Sequence, residues 1–143
     1  MKSNLQIARE ALEKLNQKLA IAKNGKIIYT STESGVKGLL KAIEEIQEEL
    51  RGASMADKIV GKAAALLAIH AGINEVYAET ISLNGLKTLE KWRVKVEYET
   101  LTPTIMDKSG LKPCPMEEAT KNIENPKEAY EKLKSMSSSI MKM

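Results

Sequence analysis

Cysteine, histidine and aromatic side chains are nearly missing from this chain of 143 residues. The single cysteine, Cys114, leaves no internal disulfide framework and suits a reducing, cytosolic setting. His70 is the single histidine, so one chain offers at most two nitrogen or sulfur ligands to a metal. A catalytic zinc needs three protein ligands, drawn mainly from His and Cys, plus a water. No cofactor is therefore expected. Phenylalanine is absent, and the aromatics are Trp92, Tyr29, Tyr77, Tyr98 and Tyr130. A base-stacking platform for single-stranded nucleic acid has little to draw on. Charge of one sign is also lacking: 22 basic against 19 acidic residues give +3, too balanced to imply nucleic acid or an anionic membrane as partner. No apolar run is long enough to cross a bilayer. Lys2, Arg9, Glu10, Glu13, Lys14 and Lys18 interrupt the start of the chain, which reads as no signal peptide.

What is present is an ordinary share of aliphatic residues, 43% hydrophobic with 29% charged. That composition suits one globular domain with a core of Ala, Val, Ile, Leu and Met. Leu5, Ala8, Leu12 and Leu15 recur at helical spacing and predict an opening helix over 4–17. Asn24-Gly25 between two apolar runs predicts a hairpin, because both residues tolerate positive φ. Ser34-Gly35 then opens a helix with Val36, Leu39, Leu40, Ile43, Ile46 and Leu50 inward. Its Glu44, Glu45, Glu48 and Glu49 read as a solvated face. A strand is expected over 52–56, a buried helix over 58–71 stopped by Gly72, and a strand over 75–82. A short helix over 84–92 and a strand over 93–101 follow. The last two helices are expected over 115–123 and from Asn125-Pro126 to about Met136. The whole reads as one domain over 1–136 with a flexible tail over 137–143. Strands alternating with helices after a hairpin imply a mixed sheet covered on both faces.

Two short stretches carry the chemistry. Asp57 reads as the N-cap of the buried helix, or as a carboxylate available to a ligand. Lys58 and Lys62, four apart, then share a helical face beside Gly61. Gly61 reads either as a close-packing position or as part of an anion site in which helix N–H groups and lysines meet a phosphate. It is not a Walker motif, since spacing and Ser/Thr are wrong. The second stretch is Cys114-Pro115-Met116-Glu117-Glu118-Ala119. A thiol at a helix start has nucleophilic character, though a lone Cys is more often inert. Glu117 falls within one turn of it, while Glu118 reads as solvent-facing. His70 reads as a helix-end histidine.

Pro113-Cys114-Pro115-Met116-Glu117 resembles the Pro-Cys-x-x-Cys run of zinc-dependent nucleobase deaminases, with Glu117 in place of the second cysteine. The partner His-x-Glu is absent. Taken with Ala56-Asp57-Lys58-Ile59-Val60-Gly61-Lys62-Ala63-Ala64-Ala65, the run resembles a small prokaryotic family, domain of unknown function 1893, over about residues 17–135. The resemblance implies an α/β fold: a three-layer cytidine-deaminase-like arrangement with a mixed five-stranded sheet flanked by helices. It also implies that the helix starts near Asp57 and Cys114 lie side by side, where true deaminases hold zinc. It implies no reaction.

Three readings follow. The first is binding of a small, phosphorylated or nucleotide-like molecule between the two helix starts, by Asp57, Lys58, Gly61, Lys62, Cys114, Pro115, Met116 and Glu117. The second is an enzyme with Cys114 as nucleophile and Glu117 or Asp57 handling protons. The third is a homodimerising interaction module.

Overall fold

The computed structural model describes the backbone of residues 1–33 and 36–141, with side chains as far as residue 137. The elements are α1 (Asn4–Lys14), β1 (Leu19–Lys23), β2 (Lys26–Ser31), α2 (Lys37–Leu50), β3 (Ser54–Val60) and α3 (Lys62–Ala71). They continue with β4 (Glu75–Ser82), α4 (Leu83–Lys91), β5 (Lys95–Thr102), α5 (Pro115–Thr120) and α6 (Pro126–Met141). The expected helix start at Ser34-Gly35 lies outside the described residues.

The strands form one five-stranded sheet in the order β2-β1-β3-β4-β5. β1 runs antiparallel to β2 and to β3, while β3, β4 and β5 are parallel. The hairpin forms as expected, with Asn24 at φ 55° and Gly25 at φ 78°. Gly25 N–H also donates to Asn4 Oδ1 at 2.9 Å, which ties the hairpin to the start of α1.

The sheet separates two apolar layers. Under α1, Leu5, Ala8, Ala11 and Leu12 bury against Ala20, Ala22, Ala56 and Tyr77. Arg9 lies over the Tyr77 ring at 4.5 Å from its centroid and pairs with Glu99 at 2.6 Å, fixing α1 to β4 and β5. The opposite face is the main core, where α2, α3, α4 and α6 cover Ile21, Met55, Val76, Ala78 and Ile81. Small side chains let α3 sit deep: Ala63, Ala65, Leu66, Leu67 and Ala68 are fully buried. Helices on both faces and a mixed five-stranded sheet are the α/β class expected from the sequence.

Several boundaries differ. α1 stops at Lys14 rather than 17, because Asn16 takes φ 52° and turns the chain into β1. The strand expected over 52–56 lies at Ser54–Val60 and takes in Asp57 and Lys58. Asp57 is therefore no helix cap; it pairs across the sheet with Leu19 and Ala78. Apolar residues on both sides of Gly61-Lys62, Ile59-Val60 before and Ala63-Ala64-Ala65 after, suit strand or helix, and periodicity alone does not separate them. Gly61 becomes the N-cap of α3. Lys58 and Lys62 thus sit on a strand and a helix rather than on one helical face. α5 ends at Thr120 rather than 123. α6 runs to Met141, past the expected end near Met136. Lys142 and Met143 lie outside the described residues.

Candidate functional site

The parallel strands β3, β4 and β5 all end at one edge of the sheet, and the chain leaves each of them into a helix or loop there. In open α/β sheets the crevice outside these carboxyl ends is the usual ligand site. Ser82 closes β4 by capping α4, accepting from Gly85 N–H at 2.9 Å. Gly85 lets α4 press on the β3–α3 turn, since a Cβ there would lie 2.9 Å from the Val60 carbonyl oxygen. A methyl group at this position would push the two helix starts apart.

The start of α3 is sealed by a carboxylate from far along the chain. Lys62 N–H donates to Glu117 Oε1 at 2.7 Å and Ala63 N–H donates to Glu117 Oε2 at 2.9 Å. Those are the free N–H groups that an external anion would otherwise take. Gly61 makes room for this cap, because a Cβ on it would fall on the Glu117 carboxylate. The helix starts of α3 and α5 are thus together, and the anion on α3 is the protein's own.

Lys62 is the other unusual residue. Its side chain is 9% exposed, yet it carries an ammonium. Burying a charge needs partners. Lys62 Nζ donates to the Lys121 carbonyl at 2.9 Å and to Glu124 Oε1 at 3.1 Å. Glu124 also reaches Lys91 at 3.6 Å. Lys62 and Asn84 line two adjoining hollows. One of about 200 Å³ is bounded by Pro103, Thr104, Ile105, Glu117, Glu118 and Lys121. The other, about 180 Å³, is bounded by Lys87, Thr88, Lys91 and Glu124. Two larger depressions lie elsewhere, one beside Lys37, Lys41 and Tyr130 and one beside Ser3, Gln6 and Arg9. Neither is lined by a buried charged side chain.

The other candidate residues are placed as follows. Asp57 is buried in β3, where its carboxylate accepts from Ile59 N–H at 3.3 Å. Burial pushes its pKa up to about 7, against the pull of the Ile59 and Lys58 N–H groups. Lys58 pairs with Glu79 at 3.2 Å on the neighbouring strand. Cys114 is the half-buried N-cap residue of α5, and its side chain makes no capping bond. Its thiol does not line either hollow. Met116 packs on the main core and Pro115 is exposed. Gly61, Lys62 and Glu117 are therefore brought together, whereas Asp57 and Lys58 are held in the sheet. Among the described residues no three His, Cys, Asp or Glu gather as a metal-holding set. With both Glu117 oxygens on α3, the residues here do not fit a deaminase-type zinc.

His70 closes α3 as expected, stacked on Tyr130 with ring centroids 4.5 Å apart. Burial, then Lys127 and Arg51, hold its pKa below the usual value. Sequence reasoning missed Asn84, Lys87, Lys91, Lys121 and Glu124. The i,i+4 pair Lys87/Lys91 and the glycine inside the α4 pattern were the signals available.

These features define an α/β protein with a cleft at the carboxyl ends of three parallel strands and a helix start closed by its own glutamate. The chain belongs to the family described as Domain of unknown function (DUF1893), whose profile matches residues 7–136. A DUF1893 family protein of Thermotoga maritima has a similar structure, with a TM-score of 0.85 and 26% identity over 95% of this chain and 92% of that one. A diaminohydroxyphosphoribosylaminopyrimidine deaminase/5-amino-6-(5-phosphoribosylamino)uracil reductase of the same organism overlaps 66% of this chain and 34% of that one. Its TM-score is 0.48 at 18% identity, a likeness that carries no reaction over. A search among curated proteins found no match. No described helix is long and apolar enough to cross a membrane.

Proposed function

We propose that this DUF1893 member binds a small polar molecule bearing an anionic group, in the cleft where β3, β4 and β5 end. The observation that carries the reading is Lys62, a buried ammonium lining both hollows while anchored from behind by the Lys121 carbonyl. A positive charge held out of water at the floor of a crevice is a recognition element for an anion. The binding residues differ in part from the eight expected. Lys62 and Asn84 face the ligand, Glu117 and Gly61 hold the floor in shape, and Asp57 and Lys58 stand outside the contact set.

The Cys114 nucleophile reading is weaker, because its thiol is off the cleft lining and Glu117 is engaged by α3. Cytosolic location and a homodimer remain part of the proposal only as its setting.

The test is a melting screen of sugar phosphates, nucleotides and their unphosphorylated counterparts. A ligand that binds only the folded state raises Tm, by about 2.7 kcal/mol of stabilisation at a hundredfold excess over Kd. Wild type should respond to phosphorylated members of a pair. Lys62→Met should fold, since Met keeps the buried volume and the Glu124 carboxylate left behind is 64% exposed and returns to water, and should lose the response. No response from wild type across the screen would overturn the reading.

A further inference from the structure

Resting on that reading, we infer that the hollow bounded by Lys62, Lys87, Lys91, Asn84 and Thr88 is a phosphate seat, and that Glu124 is the resident anion a phosphate displaces. Three lysines, Lys62, Lys87 and Lys91, line this space and Glu124 is the one acidic residue among its lining. The surplus is positive, which suits a phosphate dianion better than a single carboxylate. The Asn84 amide and Thr88 hydroxyl add neutral donors for further phosphate oxygens.

The two partners of Lys62 differ in kind. The Lys121 carbonyl belongs to the backbone at the end of α5 and fixes the ammonium at 2.9 Å. Glu124 is 64% exposed, in the connection between α5 and α6. An exposed carboxylate holds its place weakly, because water competes for both of its lysines. It can swing into solvent while Lys62 stays. A buried ammonium left without a counter-charge is disfavoured, so the displaced state is populated most when another anion takes the place of Glu124. Glu124 already behaves as the anion of the seat: the Lys62 hydrogen bond, then Lys62 and Lys91 charge, hold its carboxyl below the usual range. The arrangement favours phosphate over weaker anions, because a newcomer must outbid a carboxylate already in place.

The experiment titrates inorganic phosphate, a sugar phosphate and a nucleotide into the full chain by calorimetry. It compares wild type, Glu124→Gln and Lys62→Met, each first checked by its melt without ligand. Glu124→Gln should bind at least one of these probes about two- to fivefold more tightly than wild type, the scale of removing one exposed competing charge. Lys62→Met should lose binding. Tightening for inorganic phosphate itself would mean that the phosphate group alone is recognised. Tightening confined to the sugar phosphate or nucleotide would mean that the attached group is read as well. If wild type binds and Lys62→Met does not, but Glu124→Gln binds equally or more weakly, Glu124 is no stand-in; the displacement is wrong and the ligand reading survives. Silence from wild type and Glu124→Gln alike sinks both. Tightening in Glu124→Gln that Lys62→Met does not abolish would assign the anion to surface lysines and overturn the seat.

Discussion

Asp57 is a carboxylate built into the middle of the sheet, where it accepts from the Ile59 N–H two residues on. The ionised form lacks water there, so burial raises its pKa to about 7. In the unfolded chain it titrates near 4. Between those values the folded state holds a proton that the unfolded state has lost. Stability contributed by this group is present at low pH and falls as pH rises from about 4 to about 7. Above that window both states are ionised and the dependence flattens. Asp57→Asn should remove this slope and stabilise the protein at pH 8, by up to a few kcal/mol. Urea denaturation of both proteins at pH 5 and pH 8 checks it; an unchanged pH difference in the variant would remove Asp57 from the account. The sequence identified Asp57 as unusual but for a different reason. An Asp before an apolar run reads as a cap, and only the ladder to Leu19 and Ala78 reveals it as a strand residue.

At the scale of elements, the puzzle is how α3 begins without a local cap. Gly61 has no side chain to offer, and the helix interior carries no acidic residue in its first turn. The cap comes from Glu117, 55 residues along the chain from Lys62. A boundary set by a partner so distant leaves no local trace, which is why the sequence put the helix start too early. What the family resemblance implied was that the helix starts near Asp57 and Cys114 lie side by side. The meeting is real but runs through Gly61 and Glu117 rather than through Asp57 and Cys114. Each of Gly61→Ala and Glu117→Ala should destabilise by about 1–2 kcal/mol, the range for a lost cap. Because both remove the same pair of bonds, the double variant should cost less than the sum, with coupling of about 1 kcal/mol. Full additivity in denaturant melts would mean that Gly61 matters for some other contact. The α4 glycine differs in kind: at Gly85 the obstacle is backbone of the β3–α3 turn, which cannot swing aside as a glutamate does.

For the molecule as a whole, the sheet, its hairpin and its helix-covered faces were readable from alternation and turn residues, since those signals are local. The cleft was not, because its wall is assembled from α3, α4, the 103–114 connection and the α5–α6 region. That connection is also where the fold is most open. Lys108, Ser109, Gly110, Leu111 and Lys112 are exposed, beyond a turn in which Asp107 Oδ1 accepts from Ser109 and Gly110 N–H at 3.0 and 3.1 Å. Lys112 is followed by proline, which protects its bond from trypsin, so the Lys108–Ser109 bond is the exposed target. Limited trypsin should cut there first. The halves should stay together, because Ala129 and Leu133 of α6 are fully buried and α6 packs on α3. Pro103, Thr104, Ile105 and Pro113 of the same connection line the cleft, so a ligand seated there should restrain both ends of the loop. Cleavage at Lys108 should then slow as ligand saturates, without a matching change at lysines on α2 or α6. Slowing equal at every site would mean that the ligand acts by global stabilisation alone, and no slowing would place the ligand away from the strand ends.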